Sequence, residues 1–259
     1  MLGMAPTDDG PQGLRNLRDV GGVRTLDGRW VARGRLYRSD APVPGDSSPA
    51  LEPWPPRTVV DLRSPGEALA SEHPLAAAGT TIVSVPLFGE LDPRGLGGER
   101  GLEAPDLPTI YGRVLEASAH NLARVVEIVA SSPGPVLLHC AAGKDRTGVA
   151  TAVTLSAVGV GRNAIIADYL RTEESLDGLM ERLVLGWSDS RRDELLHTLT
   201  ATRPDLMQAP AAAIETVLET LGSWPGGTAA WLSEHGVSPE TLAALRDRLT
   251  TSVPGGGGP

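Results

Sequence analysis

The stretch Pro135-Val136-Leu137-Leu138-His139-Cys140-Ala141-Ala142-Gly143-Lys144-Asp145-Arg146-Thr147-Gly148 joins three kinds of local sequence. Residues 135–139 form a short apolar run opening on proline, which reads as an interior strand. Cys140 to Arg146 contains a glycine and three charged side chains and reads as a loop. From Thr147 to Val158 the residues are small or apolar and read as a helix. A strand, a tight loop and a helix in that order gather successive backbone N–H groups and the positive end of a helix dipole around one point, which is how a chain captures an anion.

The side chains in the loop extend that reading. Ala141, Ala142, Gly143, Lys144, Arg146, Thr147 and Gly148 are the expected phosphate-binding set. Gly143 permits a backbone conformation that a Cβ resists, and Arg146 offers a planar fork matched to two phosphate oxygens. The same positive field favours the thiolate of a cysteine at the loop's start. Cys140 is therefore the candidate nucleophile, attacking phosphorus in line and leaving a phosphocysteine for water to hydrolyse. Thr147 is placed to hydrogen-bond the sulfur, and His139 to orient the loop through backbone.

Other readings exist for the same residues. A lone cysteine at the end of a buried strand also serves as a small core residue. A nucleotide-triphosphate loop is excluded, because Asp145 follows Gly143-Lys144 where Ser or Thr is required and Leu138 stands where that motif needs glycine. Rhodanese-like sulfur transfer also mounts a cysteine on an anion-binding loop; five intervening residues and a closing arginine favour phosphate esters.

Outward from the loop, Arg57 to Leu62 and Thr80 to Leu87 are β-branched, apolar runs bounded by turn residues, and are expected as further interior strands. Asp27-Gly28 predicts a hairpin running into Arg29 to Tyr37. Pro42 to Pro56 must be a loop. Leu107 to Val129 carries apolar residues at 107, 110, 111, 114, 115, 122, 125, 126 and 129, which predicts one helix. Asn163 to Leu170 predicts another. Beyond it no strand pattern is visible and the chain reads as helical, with Ser238-Pro239-Glu240 as a capped helix start and Leu242, Leu245 and Leu249 as its inward stripe. Strands alternating with helices predict an α/β fold around a central, mostly parallel sheet flanked by helices, with a helical C-terminal part.

Composition narrows the partners. The 259 residues carry a net charge of −9 and 41% hydrophobic side chains, enough for a full core. An acidic surface repels nucleic acid and anionic headgroups. The single cysteine rules out an internal disulfide or a cysteine zinc site, and no metal-ligand cluster or cofactor motif is seen, so neither metal nor cofactor is expected. Lys144, the one lysine, sits four residues from that cysteine. Met1 to Gln12 does not read as a secretory signal. The longest weakly polar stretch, Gly148 to Val160, falls short of the ~20 residues that span a bilayer, and a cytoplasmic location without membrane insertion is expected.

These residues carry a resemblance to a known family. HCAAGKDRTG at 139–148 resembles the signature loop of the protein tyrosine phosphatase superfamily, and more narrowly that of its bacterial tyrosine/serine phosphatase group. Asn16-Leu17-Arg18-Asp19-Val20-Gly21-Gly22, Gly34 to Ser39, Val60 to Glu67 and Asp168-Tyr169-Leu170 resemble that group's recurring segments in the same order. The resemblance implies one phosphatase domain over 12–250, between a flexible start at 1–11 and a glycine-rich tail at 251–259. It also implies a metal-independent phosphomonoesterase acting on phosphotyrosine, and on phosphoserine, phosphothreonine or phosphoinositides in many members. A small metabolite phosphate is the alternative substrate, and a phosphate-binding pseudophosphatase the non-enzymatic alternative. Lys144 resembles the extra positive charge of lipid phosphatase loops. Residues 173–207 are the candidate helical lid, with Leu176, Leu179, Met180 and Leu183 as an apolar face that could equally pack on the core. Expelling a leaving group needs an acid, and three aspartates are candidates: Asp145 first, then Asp92 in the Gly/Pro-rich segment Gly89 to Pro105, then Asp61, which Arg63 is placed to pair locally. Tyr111 and Tyr169 are candidate aromatic walls for phosphotyrosine.

Overall fold

The computed structural model describes residues 13–67, 72–87, 105–183, 197 and 207–253. In chain order its strands are β1 (Arg18–Asp19), β2 (Trp30–Val31), β3 (Leu36–Ser39), β4 (Thr58–Asp61), β5 (Thr81–Ser84), β6 (Val136–His139) and β7 (Thr250–Thr251). Five of them make the central sheet in the order β1-β3-β6-β4-β5. β3, β6, β4 and β5 run parallel, and β1 is antiparallel to β3. The fold is the expected α/β one, with a mostly parallel sheet.

Period-two alternation sorts the strand residues onto two faces. Leu36, Val60, Val136 and Leu138 join the large core with the helices, while Tyr37, Val59 and Leu137 pack with Ile82 of β5 and with Leu51, Trp54 and Leu75 from the connecting loops. Helices therefore cover one face among the described residues, and loops cover the other. β6 sits centrally, buried along its length, so its C-terminal end opens beyond a fully supported strand.

The run Thr80 to Leu87, expected inside the sheet, is instead its edge. Among the described residues β5 pairs only with β4, and its outer residues are exposed. The apolar signal came from Val85 and Leu87, which turn into the core after the strand, their N–H groups donating to Asp61 and Leu62 carbonyls at 2.9 and 3.1 Å.

The helices are α1 (Leu107–Ala117), α2 (Ala119–Ser131), α3 (Asp145–Ala157), α4 (Arg162–Leu170), α5 (Leu176–Leu183), α6 (Ala211–Ser223), α7 (Gly227–Glu234) and α8 (Pro239–Leu249). The expected single helix from Leu107 to Val129 breaks at Ser118. Its apolar stripe continues across the break, but α1 packs on α6 and α2 on α8; two partners require two axes. Asp106 caps α1 by accepting from Thr109 N at 2.9 Å, and Ser238 caps α8 by accepting from Thr241 N at 3.1 Å. Each such cap stabilises by about 1 kcal/mol. Leu245 and Leu249 are fully buried and Leu242 packs against the same core.

Two strand expectations change. The turn at Asp27-Gly28 forms and brings Arg24 opposite Trp30, yet the returning chain does not run on as one strand to Tyr37. β2 pairs with β7, which lies in the C-terminal region expected to be wholly helical, and β3 joins the central sheet. Pairing across more than 200 residues leaves no local signature. Of the candidate lid, α5 and the 3-10 turn Arg171–Ser175 before it are described, whereas 184–196 and 198–206 lie outside the described residues, as do 1–12 and 254–259. Leu179 is buried. Arg182 fastens the end of α5 to the loop after β3, donating to Asp40, to both Asp46 oxygens at 2.7 and 2.9 Å, and to the Gly13 and Ala41 carbonyls at 3.0 Å.

Candidate active site

Cys140 follows β6 directly and α3 begins at Asp145, so residues 140–144 form a short turn between a buried strand and a helix N-terminus. The turn is held from outside through its carbonyls. The Cys140 oxygen lies 3.2 Å from His139 Nδ1, the Ala141 oxygen accepts from Ala41 N at 3.0 Å, and the Ala142 oxygen from Asn16 Nδ2 at 3.3 Å. The Gly143 oxygen accepts from both Asn16 Nδ2 at 3.0 Å and Arg38 Nη2 at 2.7 Å. In a trans peptide the C=O and the following N–H point in opposite directions. Drawing four consecutive carbonyls outward therefore turns the N–H groups of residues 141–144 toward the inside of the turn. Those of Ala141, Ala142, Gly143, Asp145 and Arg146 donate to no other described residue. The result is a concave row of donors at a helix N-terminus, suited to a tetrahedral anion.

Gly143 is required on two counts. Its φ is +66°, and a Cβ there would stand 2.3 Å from the Ser39 carbonyl oxygen. The supports beneath it come from the segments that matched at a distance. Asp168 accepts from Arg18 Nε at 2.7 Å and Arg38 Nη1 at 2.8 Å, so one buried carboxylate neutralises two buried guanidiniums and aims Arg38 at the Gly143 carbonyl. Burial resists ionisation of Asp168, but the charges of Arg38 and Arg18 outweigh it and hold the carboxyl below its usual range.

Arg146 is buried, and its end-on edge grips Glu67: Nη1 to Oε2 at 2.5 Å and Nη2 to Oε1 at 2.7 Å. Burial alone would lower its pKa; the Glu67 hydrogen bonds and the charges of Cys140, Glu67 and Asp145 raise it instead. Glu67 is itself set by the Ser64 N–H and hydroxyl, both at 2.9 Å. With the Nη1/Nη2 edge taken by a carboxylate, the Nε/Nη edge is the fork left to face an anion.

The remaining expected residues fall as follows. Cys140 is buried in the helix-side core. Thr147 does not bond the sulfur: its hydroxyl is buried without a hydrogen-bond partner among the described residues, because the first turn of α3 leaves it facing the packed interior. Lys144 is buried, donating from Nζ to the Gln208 carbonyl at 2.8 Å and lying 3.4 Å from Asp145 Oδ1. Gly148 sits under the Tyr169 ring, where a Cβ would come within 3.1 Å. Asp145 keeps 29% of its side chain exposed, and its Oδ1 accepts from Tyr111 OH at 2.8 Å. Tyr111 and Tyr169 are not open walls; both are buried, their hydroxyls 2.7 Å apart.

Asp61 is enclosed by Arg63, whose Nε and Nη2 reach its two oxygens at 2.9 and 2.7 Å, which leaves it paired in place. Burial works against its ionised form, but the Arg63 bonds and the nearby His139 and Arg63 hold its pKa below the usual value. Asp92 and most of the segment Gly89 to Pro105 lie outside the described residues. Glu67, Asn16, Arg38 and Asp168 had been noticed only as members of matching segments. His73, 3.2 Å from His139 through their Nε2 atoms, had given no signal at all.

A family model described as the tyrosine phosphatase family matches residues 11–251. Triple specificity protein phosphatase PtpB of Mycobacterium tuberculosis is 38% identical over 137 residues, 49% of this chain and 48% of that protein. A tyrosine-protein phosphatase of Nostoc commune is 33% identical over 129 residues, 47% of this chain and 41% of its own length. The chain thus spans about half the length of the curated relatives it matches. Among solved structures, the Siw14 catalytic core matches 76% of this chain and 98% of its own at 17% identity and a TM-score of 0.42.

Proposed function

The chain belongs to the tyrosine phosphatase family, and from that premise we propose that it hydrolyses phosphate monoesters, phosphotyrosine among them, through a phosphocysteine on Cys140. The observation that carries this reading is the row of N–H groups of Ala141, Ala142, Gly143, Asp145 and Arg146, which donate to no other described residue, closed by the Arg146 side chain and begun by the single cysteine. Substrate phosphate takes the row and the Nε/Nη edge of Arg146. The Cys140 thiolate attacks phosphorus, an S–P bond forms, the P–O bond breaks, and the electron pair goes to the leaving oxygen. Asp145 gives that oxygen a proton; with Oδ1 accepting from Tyr111 OH, Oδ2 is the oxygen assigned to carry it. Water then attacks phosphorus, Asp145 takes its proton, and the S–P bond breaks to release phosphate and restore the thiolate. Arg146 and the N–H row stabilise the charge that spreads over the transferred group at both stages.

PtpB's name supports a substrate range beyond phosphotyrosine, which would include phosphoserine and phosphothreonine or phosphoinositides. Two assays test the proposal. Turnover of 4-nitrophenyl phosphate should be blocked by vanadate, unaffected by EDTA and abolished by Cys140→Ser; full activity in that variant, or a metal requirement in the wild type, rules it out. Asp145→Asn should slow alkyl phosphates more than aryl ones, and equal slowing would place the acid elsewhere. A panel of phosphopeptides, phosphoinositides and sugar phosphates then ranks the substrates.

A further inference from the structure

We infer that His73 is a positioning residue for the phosphate loop, fixing through His139 the direction of the Cys140–Ala141 peptide; its bearing on catalysis rests on the reading of Cys140 as nucleophile. Alternation along β6 puts His139 on the same sheet face as Leu137, two residues before it, which is the face covered by the loop containing Leu75. That loop brings His73 against His139, their rings tilted by 44° with centroids 5.3 Å apart.

The hydrogen bonds between them admit one proton arrangement. The Leu75 N–H donates to His73 Nδ1 at 3.2 Å, so that nitrogen carries a lone pair and the His73 proton sits on Nε2. His73 Nε2–H then donates to His139 Nε2 at 3.2 Å. His139 must accept there, and its own proton is left on Nδ1, 3.2 Å from the Cys140 carbonyl oxygen that it bonds. Protonating either ring sets a donor against a donor. Burial lowers the pKa of both imidazoles and so disfavours their charged forms. The charged groups facing the pair are Asp61 and Arg63, and Asp61 Oδ1 is 3.8 Å from His139 Nε2.

Without His73, His139 can move its proton to Nε2 and turn it toward Asp61. Its Nδ1 lone pair would then face the Cys140 oxygen, and an attraction at the nucleophile's own peptide becomes a repulsion. That peptide carries the Ala141 N–H, the first donor of the anion row. His73 thus controls the aim of that donor from 66 residues away.

The test uses the full chain with 15N-labelled histidine, comparing wild type, His73→Ala and His73→Gln. The imidazole spectrum of wild-type His139 should show the Nδ1–H form. His73→Ala should shift it to Nε2–H and lower kcat/KM for 4-nitrophenyl phosphate about tenfold, the scale of one lost hydrogen bond. His73→Gln, which can donate from its amide nitrogen and accept from Leu75 with its oxygen, should recover the Nδ1–H form and most of the rate. A wild-type His139 in the Nε2–H form overturns the inference, as does a tautomer change with unaltered kcat/KM. Activity surviving in Cys140→Ser would refute the nucleophile and leave the tautomer measurement standing, so the two failures are distinguishable.

Discussion

Replacing Asp168 with asparagine preserves its shape and removes its charge. In the wild type Arg18, Arg38 and Asp168 have side chains only 6, 1 and 8% exposed, and the one carboxylate balances two guanidiniums. Burial and the nearness of Arg38 already pull Arg18 down to about 10. In Asp168→Asn both cations remain buried with no counter-charge at Asp168, a loss of roughly 3–5 kcal/mol for breaking such a pair from one side. For a domain of this size that corresponds to a fall in Tm of roughly 6–20 °C. Urea titration at pH 7 with an unchanged slope, together with calorimetry, reads the loss. The depressed pKa of Asp168 adds a sign: its contribution is present above the ordinary carboxyl value of 3.8 and disappears as pH falls through the lower folded value. The gap between variant and wild type should therefore close in strong acid. Because Arg38 also donates to the Gly143 carbonyl, kcat/KM should drop even at temperatures where the variant is folded. A stability loss under about 1 kcal/mol at pH 7 would refute the reasoning, since it would mean the two arginines do not depend on this carboxylate.

Glu67→Gln should lower kcat/KM by roughly 10–100-fold by loosening the Arg146 fork, with only a small change in Tm because Glu67 is 31% exposed; unaltered kinetics would show that Arg146 needs no such brace. Gly143→Ala should destabilise by more than about 2 kcal/mol, since left-handed backbone alone costs roughly 1–2 and the added carbon meets the Ser39 carbonyl at 2.3 Å, and a Tm equal to wild type would contradict it. His139, whose pKa burial depresses from 6.5 to about 4, takes up a proton more readily unfolded than folded between those values. Its contribution is complete above pH 6.5 and is lost as pH falls toward 4, amounting to roughly 3 kcal/mol. Urea midpoints across that range should fall with pH for the wild type and much less for His139→Gln; parallel profiles would count against it.

The loop at 140–146 was legible because each of its signals is local. A short apolar run, a glycine before a helix start, and a cysteine and an arginine separated by five residues act through backbone a few residues away, and short-range sterics and dipoles do not depend on the rest of the fold. The capped start of α8 at Ser238 was legible for the same reason. The break at Ser118 was not, because the apolar stripe is continuous and only the two packing partners require a bend. The edge position of β5 was equally hidden, since an edge and an interior strand can share one composition when apolar residues follow the strand. By itself the sequence determined the strand, the tight turn and the helix start at 136–148, and it named the residues proposed to hold an anion and to attack it. Tertiary structure alone decided what aims the holding groups. Glu67 reaches Arg146 across 79 residues, Asp168 joins Arg18 and Arg38 across 150 and 130, and His73 meets His139 on the far sheet face. A side chain's charge and length are written at its own position, but its partner is chosen only when the sheet assembles and brings distant segments together.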